Sequence, residues 1–392
     1  MLTIKNTGLM KKIYLVMVVA ATLASCNNDE IVNEAPKTPI TFGNTFVENA
    51  TRAIDNTYTP NTLSTFKVYG TIQGLFGDNE DGTKINIFKG IPVTKGQNNN
   101  WTYESQYTQY WVPDSEYEFV ALVDADATVN TNNNSYINSV TLDNVSMPIS
   151  ISYNVNTQKD ILYASATETL GATDTKSEEY KVPFSFSHLL SKVHFTFTNQ
   201  IATNKEASAG VDAIKYSYKV SKIKIENAIT TGTCSLSEAL SWNPSVWDNN
   251  TTSLSFGNAS NASNSTEGAE NPSETAIDIC SIGGTLASAT SHKSMLLIPT
   301  TYDGQTHKLQ VTFDVELFLN GTKLRSYTER LEVDKSVTFV AGNAYNLQVG
   351  LPAPGLPIQF TATALNEWLP KQGLENIPLT DTSTPSTPGE GE

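Results

Sequence analysis

The sequence predicts an all-β protein built from two β-sandwiches. Apolar and polar residues alternate along many short segments, most cleanly over 216–225, and a period of two is typical of strands with one buried face. No segment shows the longer period of an extended amphipathic helix. With 392 residues the chain is too long for one typical domain and suits two of ordinary size.

The N-terminus predicts export as a lipoprotein. Lys11 and Lys12 precede an apolar run over 13–24, which is shorter than the roughly 20 residues that span a bilayer. The run ends in Leu-Ala-Ser-Cys, which resembles a bacterial lipobox with Cys26 as the lipidated residue. We therefore expect a signal peptide at 1–25 and a location at the outer membrane. An ordinary secretory signal is the alternative.

The charge of the chain argues against a nucleic-acid partner. Its formal charge is −15 at pH 7, and it falls to −18 without residues 1–25, which contain three lysines and no acidic residue. So acidic a protein repels a phosphate backbone, and we expect no nucleic acid among its partners.

The cysteines leave one question open. With Cys26 assigned to the lipid, Cys234 and Cys280 remain in an oxidising compartment, where they can pair. A disulfide between them and two separately buried thiols are both compatible with the sequence. No Cys-x-x-Cys motif or histidine cluster accompanies them, so we expect neither a metal nor a cofactor.

The first half of the chain alternates predicted strands with polar segments. Residues 27–39 form a polar, proline-containing tether, and 40–47 begin as the first strand. The polar segment that follows contains Arg52, the first of only three arginines and an early target for an arginine-specific protease. Further strands are expected between 66 and 164, and the polar stretch 167–180 marks a domain boundary.

A change of strand phase follows this boundary. Apolar groups occupy even positions over 184–190 and odd positions over 193–197, which predicts a bulge or bend near Ser191 and Lys192. His188 falls just before the change, and we expect a hydrogen-bonded structural histidine there instead of a metal ligand or a base.

The C-terminal part contains a long loop, a last strand and a tail. The Asn- and Ser-rich stretch 243–270 is expected to be one exposed loop, and 369–392 is expected to be disordered. The last predicted strand, 358–365, alternates strictly, with one face formed by Ile358, Phe360, Ala362 and Ala364.

The sequence contains no recognisable catalytic motif. A nucleophile elbow, a P-loop and a His-Glu-x-x-His motif are all missing. Glu116 with Glu118, and Asp124 with Asp126, place two carboxylates on one strand face, but such pairs arise by chance among 40 acidic residues. We expect no enzymatic activity and assign no catalytic residue.

Aromatic residues of the first half have two interpretations. Trp101, Tyr103, Tyr110 and Trp111 could stack on sugars, as in a surface glycan-binding lipoprotein. We favour the interpretation that they fill a β-sandwich core or cover its edge.

Six features, in order along the chain, together span nearly the whole mature chain. They are Leu23-Ala24-Ser25-Cys26, Ile40-Thr41-Phe42 before Thr51-Arg52-Ala53, Tyr110-Trp111 before Tyr117-Glu118-Phe119-Val120-Ala121, Asp160-Ile161-Leu162-Tyr163-Ala164, Phe186-Ser187-His188-Leu189-Leu190-Ser191-Lys192-Val193, and Gly342-Asn343-Ala344-Tyr345-Asn346-Leu347. In this order and spacing they resemble the fimbrillin family of the Bacteroidetes, which comprises the lipoprotein precursors of type V pilins and their Mfa-like relatives.

The resemblance implies transthyretin-like sandwiches and maturation by proteolysis. Cleavage between Arg52 and Ala53 would remove the first strand and open a groove, into which a neighbouring subunit inserts a terminal strand. The donor residues would be Ile358, Phe360, Ala362 and Ala364. The expected segments are a signal peptide (1–25), a lipidated tether with the removable strand (26–52), two sandwiches (53–175 and 176–368) and a polar tail (369–392).

The partners implied are other fimbrial subunits at the cell surface, the outer membrane through the Cys26 lipid before maturation, and a receptor on a host or bacterial surface. Two alternatives stay open. Residues 358–365 could instead close the second sheet of their own subunit. The whole protein could be a non-polymerising surface lipoprotein that binds glycans or acts as an adhesin.

Overall fold

A computed structural model describes residues 37–47, 63–74, 82–97, 100–123, 137–201, 205, 208–210, 212–236, 240–244, 250–260, 276–281, 286–291, 293–353 and 356–365, without the side chains of 44–47, 138, 244, 260, 364 and 365. Their regular structure is β, with two short 3-10 turns and no α-helix in these ranges. No helix among them is long and apolar enough to cross a membrane. The prediction of an all-β fold is confirmed.

The largest sheet has seven strands. They are β1 (Phe42–Val47), β2 (Thr65–Gly74), β3 (Ile85–Lys95), β4 (Trp101–Thr102), β5 (Ser115–Val123), β8 (Leu162–Leu170) and β9 (Val182–His188). Their order in the sheet is β1-β9-β8-β5-β2-β3-β4. Strand β1 runs parallel to β9, and every other pair in this sheet is antiparallel.

The remaining strands form four further sheets. The four-stranded sheet runs β13 (Ser241–Pro244), β12 (Thr231–Ser235), β7 (Pro148–Asn154), β6 (Ile137–Leu142). The six-stranded sheet runs β15 (Ala259–Ser260), β17 (Ser288–Ser291), β10 (Ser191–Asn199), β23 (Ala344–Leu351), β24 (Gln359–Leu365), with β18 (Met295–Leu297) also on β10. The five-stranded sheet runs β14 (Thr251–Gly257), β11 (Tyr216–Ile229), β20 (Leu309–Leu319), β21 (Thr322–Val333), with β16 (Ile279–Cys280) also on β11, and β19 (Thr300–Tyr302) pairs with β22 (Val337–Phe339).

Two apolar clusters form the core. One lies on a single face of the seven-stranded sheet and is rich in aromatic rings, including Phe66, Phe88 and Phe119. The other joins the remaining sheets and includes Val120 and Leu122 from the opposite face of the same seven-stranded sheet. Strand β5 is therefore buried on both faces at its C-terminal end, which explains its continuous apolar run.

The sheets do not divide at the predicted boundary between 175 and 176. Strand β9 follows that boundary but pairs with β8 and β1 in the first sheet, and β7 precedes it but pairs with β12. The polar stretch expected to link two domains instead contains a turn within one sheet, in which the Gly171 N–H donates to Asp174 Oδ2 at 2.9 Å. A turn and an interdomain linker have the same polar composition, so the sequence could not distinguish them.

The predicted change of phase is confirmed. Strand β9 ends at His188 in the first sheet, and β10 begins at Ser191 in another, with Leu189 and Leu190 fully buried between them. His188 is buried, and its Nδ1 lies 2.7 Å from Asp160 Oδ2, as expected for a structural histidine. The prediction of one long loop over 243–270 is wrong in part, because β14 pairs with β11 and buries Leu254 and Phe256.

Candidate strand-exchange site

The first strand is held between two segments that are distant in sequence. Its N-terminal end runs antiparallel to residues 109–111: the Ile40 N–H donates to the Gln109 carbonyl at 2.8 Å, and the Trp111 N–H donates to the Thr38 carbonyl at 3.0 Å. Beyond Thr41 the strand runs parallel to β9, where the Val182 N–H donates to the Thr41 carbonyl at 2.8 Å. Residues 38–47 thus fill a cleft, which we call the β1 groove.

Phe42 is the main apolar anchor in the β1 groove. Its side chain is completely buried, with ring centroids 5.5 Å from Phe88, 5.9 Å from Phe119 and 5.7 Å from Phe184. Ile40, on the same face of the strand, is also completely buried. Full burial of each such side chain stabilises the fold by about 1.5–3 kcal/mol. Strand β1 is therefore part of the core as well as of the sheet.

Two hydroxyl groups fix the backbone of the strand. The Tyr103 hydroxyl donates to the Ile40 carbonyl at 2.5 Å, and the Thr41 hydroxyl donates to the Tyr180 carbonyl at 2.9 Å. Burial raises the pKa of Tyr103 to about 12, so at neutral pH its hydroxyl keeps the proton that it donates. Strand β1 is thus held by side-chain hydrogen bonds in addition to the main-chain bonds.

The side chain of Lys181 leaves little room for any residue larger than glycine at position 43. A Cβ at this position would lie 3.0 Å from the Cβ of Lys181, and closer still to the Cδ of that side chain. The Lys181 ammonium donates to Asn100 Oδ1 at 2.9 Å, which holds the side chain against the strand. A larger residue in this place requires Lys181 to move.

An aromatic and charged cluster lies beside the β1 groove. The Lys176 ammonium is 2.6 Å from Glu168 Oε2, 4.2 Å from the centroid of the Tyr180 ring and 5.7 Å from that of Trp111. The Tyr180 hydroxyl donates to the other oxygen of Glu168. The Tyr180 carbonyl accepts from the Thr41 hydroxyl, and the Trp111 N–H donates to the Thr38 carbonyl. The cluster therefore supports the walls of the β1 groove.

Three of the predicted donor residues, Phe360, Ala362 and Ala364, lie on β24, which pairs with its own chain, and Ile358 directly precedes that strand. Strand β24 is antiparallel to β23, with Gln359 opposite Gly350 and Leu365 opposite Ala344, and it forms an edge of the six-stranded sheet. Ile358, Phe360 and Ala362 are half-buried against the larger core cluster, while the side chain of Ala364 is outside the described set. In this structure residues 359–365 thus pair within their own chain, which is the alternative to donation that the sequence left open.

Other predicted site residues have different outcomes. Cys26, Arg52 and Ala53 lie outside the described residues. Cys234 and Cys280 are both thiols. The Sγ of each donates to the carbonyl of the following residue, Ser235 or Ser281. The structure therefore contains no disulfide between them. Cys234 is buried and Cys280 only partly so.

The aromatic residues considered for glycan stacking do not form one exposed surface. Trp101 and Trp111 are buried, as the core interpretation predicts. Tyr103 is partly buried and bound to the Ile40 carbonyl, whereas Tyr110 is 45 % exposed.

The charged side chains considered in the sequence are the next candidates. Glu118 pairs with Lys84 at 2.8 Å, and Asp124 and Asp126 lie outside the described residues. In the part of the chain that the structure describes, no group of three His, Cys, Asp or Glu side chains could hold a metal.

Residues of the site that the sequence did not indicate are Tyr103, Tyr180 and Lys181. Each acts through a contact with residues 40–43, which lie far away in the sequence. A parallel pairing of β1 with β9 has no local signal, since strand alternation indicates which face is buried but not which strand is the neighbour.

The fold of one solved structure agrees with this architecture. A fimbrial protein from Bacteroides vulgatus has a similar fold, with a TM-score of 0.51, 14% sequence identity, and coverage of 84% of this chain and 99% of that one. A Bacteroides ovatus protein for which a role in cell adhesion has been suggested has a TM-score of 0.42 and 13% sequence identity, with coverage of 86% of this chain and 100% of that one. A fimbrial assembly protein from Parabacteroides distasonis has a TM-score of 0.31 and 11% sequence identity, with coverage of 81% of this chain and 93% of that one. No curated protein sequence matches the chain.

The sequence itself identifies the family. The profile of the fimbrillin-like family matches residues 51–368, which is most of the chain and includes every strand after β1. Although β1 lies outside the match, its groove lies inside it, because β9 and residues 109–111 form the walls. The chain belongs to the fimbrillin-like family.

Proposed function

We propose that this chain is a structural subunit of a surface fimbria, exported as a lipoprotein through Cys26, matured by cleavage after Arg52 and assembled by β-strand exchange. The observation that carries the proposal is the position of β1, which is an edge strand and yet buries Phe42 in the aromatic core. The fimbrillin-like family supports a role in fimbriae and adhesion at the cell surface, without enzymatic chemistry.

The proposed maturation step depends on the order of the chain. Arg52 follows the end of β1 at Val47 within a few residues, so a cut there separates the strand from the rest of the chain. Strand β1 is then held only by non-covalent bonds and by the burial of Ile40 and Phe42. Its loss would expose the edge of β9 and the rings of Phe88, Phe119 and Phe184.

An opened groove favours a replacement strand. The exposed edge of a sheet presents unpaired N–H and carbonyl groups, and each hydrogen bond that an added strand restores contributes about 0.5–1.5 kcal/mol. Main-chain bonds then supply affinity, and the pockets of Ile40 and Phe42 supply specificity. Such a strand comes from a neighbouring subunit, which links the two into a polymer.

Strand β24 is the proposed donor. It has a neighbour on only one side, and Ile358, Phe360 and Ala362 are half-buried in their own chain. An edge strand of this kind can leave its sheet at a smaller cost than a central one, because only one ladder of hydrogen bonds breaks. In this proposal the cis pairing seen here is the state of the subunit before assembly.

Cleavage in vitro tests the proposal. The purified precursor is incubated with an arginine-specific protease, beside an Arg52→Lys variant that keeps the charge but removes the cleavage site. Arg325 and Arg330 lie within β21, so they serve as internal controls for proteolysis of the folded protein. We expect wild-type protein to form a ladder of polymers and the variant to stay monomeric. Equal assembly, or equal failure to assemble, would contradict the proposal.

A further inference from the structure

We propose that the β1 groove takes residues 356–361 of a second copy of this chain, in a register that puts Ile358 in the place of Ile40 and Phe360 in the place of Phe42. The inference rests on the proposed function and adds the identity of the partner, the direction of the inserted strand and a steric limit on its fit.

The two strands share a short motif. Pro39-Ile40-Thr41-Phe42 and Pro357-Ile358-Gln359-Phe360 both read Pro-Ile-x-Phe, and this pattern occurs nowhere else in the chain. In both strands the isoleucine and the phenylalanine are two positions apart, so they lie on one face. The donor thus repeats the side chains that the groove already accommodates, with the same spacing.

The backbone bonds of the β1 groove suit the same motif in the same direction. At the position of Pro39 no N–H is required, and the bonds on either side use the Ile40 N–H and the Thr38 carbonyl. In the proposed register the Ile358 N–H reaches the Gln109 carbonyl, and the Leu356 carbonyl accepts from the Trp111 N–H. The Gln359 carbonyl then accepts from the Val182 N–H. The inserted strand is therefore parallel to β9.

The difference in burial between the two sites favours transfer of the donor strand into the β1 groove. Ile358, just before β24, and Phe360 within it are only half-buried, and Leu356 is 63 % exposed. The positions they would take in the groove bury Ile40 and Phe42 completely. Moving Phe360 from the edge of its own sheet to the ring cluster of Phe88, Phe119 and Phe184 removes more apolar surface from water.

Thr361 limits the fit. In this register it takes the place of Gly43, where even a Cβ crowds the side chain of Lys181. Insertion therefore requires Lys181 to leave Asn100 and turn outward. The wild-type donor should bind less tightly than its motif allows, and either a glycine at 361 or a shorter side chain at 181 should relieve the clash.

Peptide binding tests the register. The acceptor is the full chain with Phe360→Ala, which keeps its groove but lacks the donor anchor, cleaved by an arginine-specific protease. Fluorescence anisotropy follows a labelled peptide of residues 356–366 and its F360A, T361G and Q359G variants. The last two both add a flexible glycine, but only T361G removes the contact with Lys181. An acceptor that also carries Lys181→Ala completes the comparison.

We expect the wild-type peptide to bind the cleaved acceptor and not the Arg52→Lys acceptor. The F360A peptide should bind about a hundredfold more weakly. T361G should bind more tightly than wild type and Q359G more weakly. On the Lys181→Ala acceptor the wild-type peptide should gain affinity and the advantage of T361G should shrink, because alanine removes Cγ and Cδ but keeps the Cβ that lies 3.0 Å away.

Two results would overturn the inference, and mass spectrometry of the released segment 26–52 distinguishes them. Release of the segment and polymer formation by the parent chain, without peptide binding or with equal weakening by T361G and Q359G, would reject this register and leave the proposed function intact. Retention of the segment after cleavage, with no polymer, would reject the proposed function and this inference with it.

Discussion

The rings of Phe42 and Phe184 stack with their centroids 5.7 Å apart and their planes 22° from parallel. One ring belongs to the strand that we expect to be removed and the other to the strand beside it. Phe42 therefore stabilises the precursor and, on leaving, creates the pocket that a donor must fill.

Phe42→Ala should destabilise the precursor strongly. Removing a fully buried phenylalanine typically costs about 3–5 kcal/mol of unfolding free energy. Phe360→Ala, at a half-buried position on an edge strand, is the matched control and should cost less than half as much. Urea denaturation of both variants measures the difference. Equal losses would mean that β1 does not contribute to the core as the structure shows.

The buried pair of Asp160 and His188 should be structural. Their side chains are almost completely inaccessible, and removing one partner of a buried hydrogen bond costs about 1–3 kcal/mol. Asp160→Ala should therefore destabilise the fold by about that amount. His307→Ala is the control, because the Asp303–His307 pair is exposed and such pairs contribute about 0–1 kcal/mol. Thermal or urea unfolding that ranks the two variants equally would contradict this assignment.

Buried tyrosines should cause a loss of stability at alkaline pH. Burial raises the pKa of Tyr103, Tyr117, Tyr153 and Tyr218 to about 12, from an ordinary value of 10.0. The folded protein thus keeps protons that the unfolded chain loses, so this stability is fully present below pH 10 and is lost as pH rises towards 12. Urea midpoints should fall in that window, together with phenolate absorbance.

Tyr153→Phe should reduce this alkaline loss, because it removes one of the phenols whose pKa burial raises. A urea midpoint that stays constant from pH 9 to 12 in the wild-type protein would contradict the predicted linkage.

The two internal thiols should differ in reactivity. Burial raises the pKa of Cys234 to about 12, and the thiolate is the reactive form. In a chain with Cys26→Ser, Cys234 should resist alkylation until the protein unfolds, while Cys280, which is only partly buried, should react earlier. Mass spectrometry under non-reducing conditions should find two alkylatable thiols after unfolding. A mass lower by two hydrogens, with no alkylation, would instead reveal a disulfide.

The burial of Trp101 and Trp111 was expected because large aromatic side chains commonly fill a β-sandwich core. Sequence patterns predicted the β class and the change of phase between β9 and β10, because both follow from local alternation. They could not predict that β1 lies beside β9 or that Lys181 crowds Gly43, since both depend on pairing between distant strands. The short strand β14 was missed within 243–270 because its alternation is brief and its surroundings are polar.

The most direct test is the N-terminal residue of the protein recovered from fimbriae sheared off the native cell. The account predicts Ala53, which would mean that the lipid and β1 have been removed from assembled subunits. Assembled fimbriae whose subunits still begin at lipidated Cys26 would contradict strand exchange through the β1 groove.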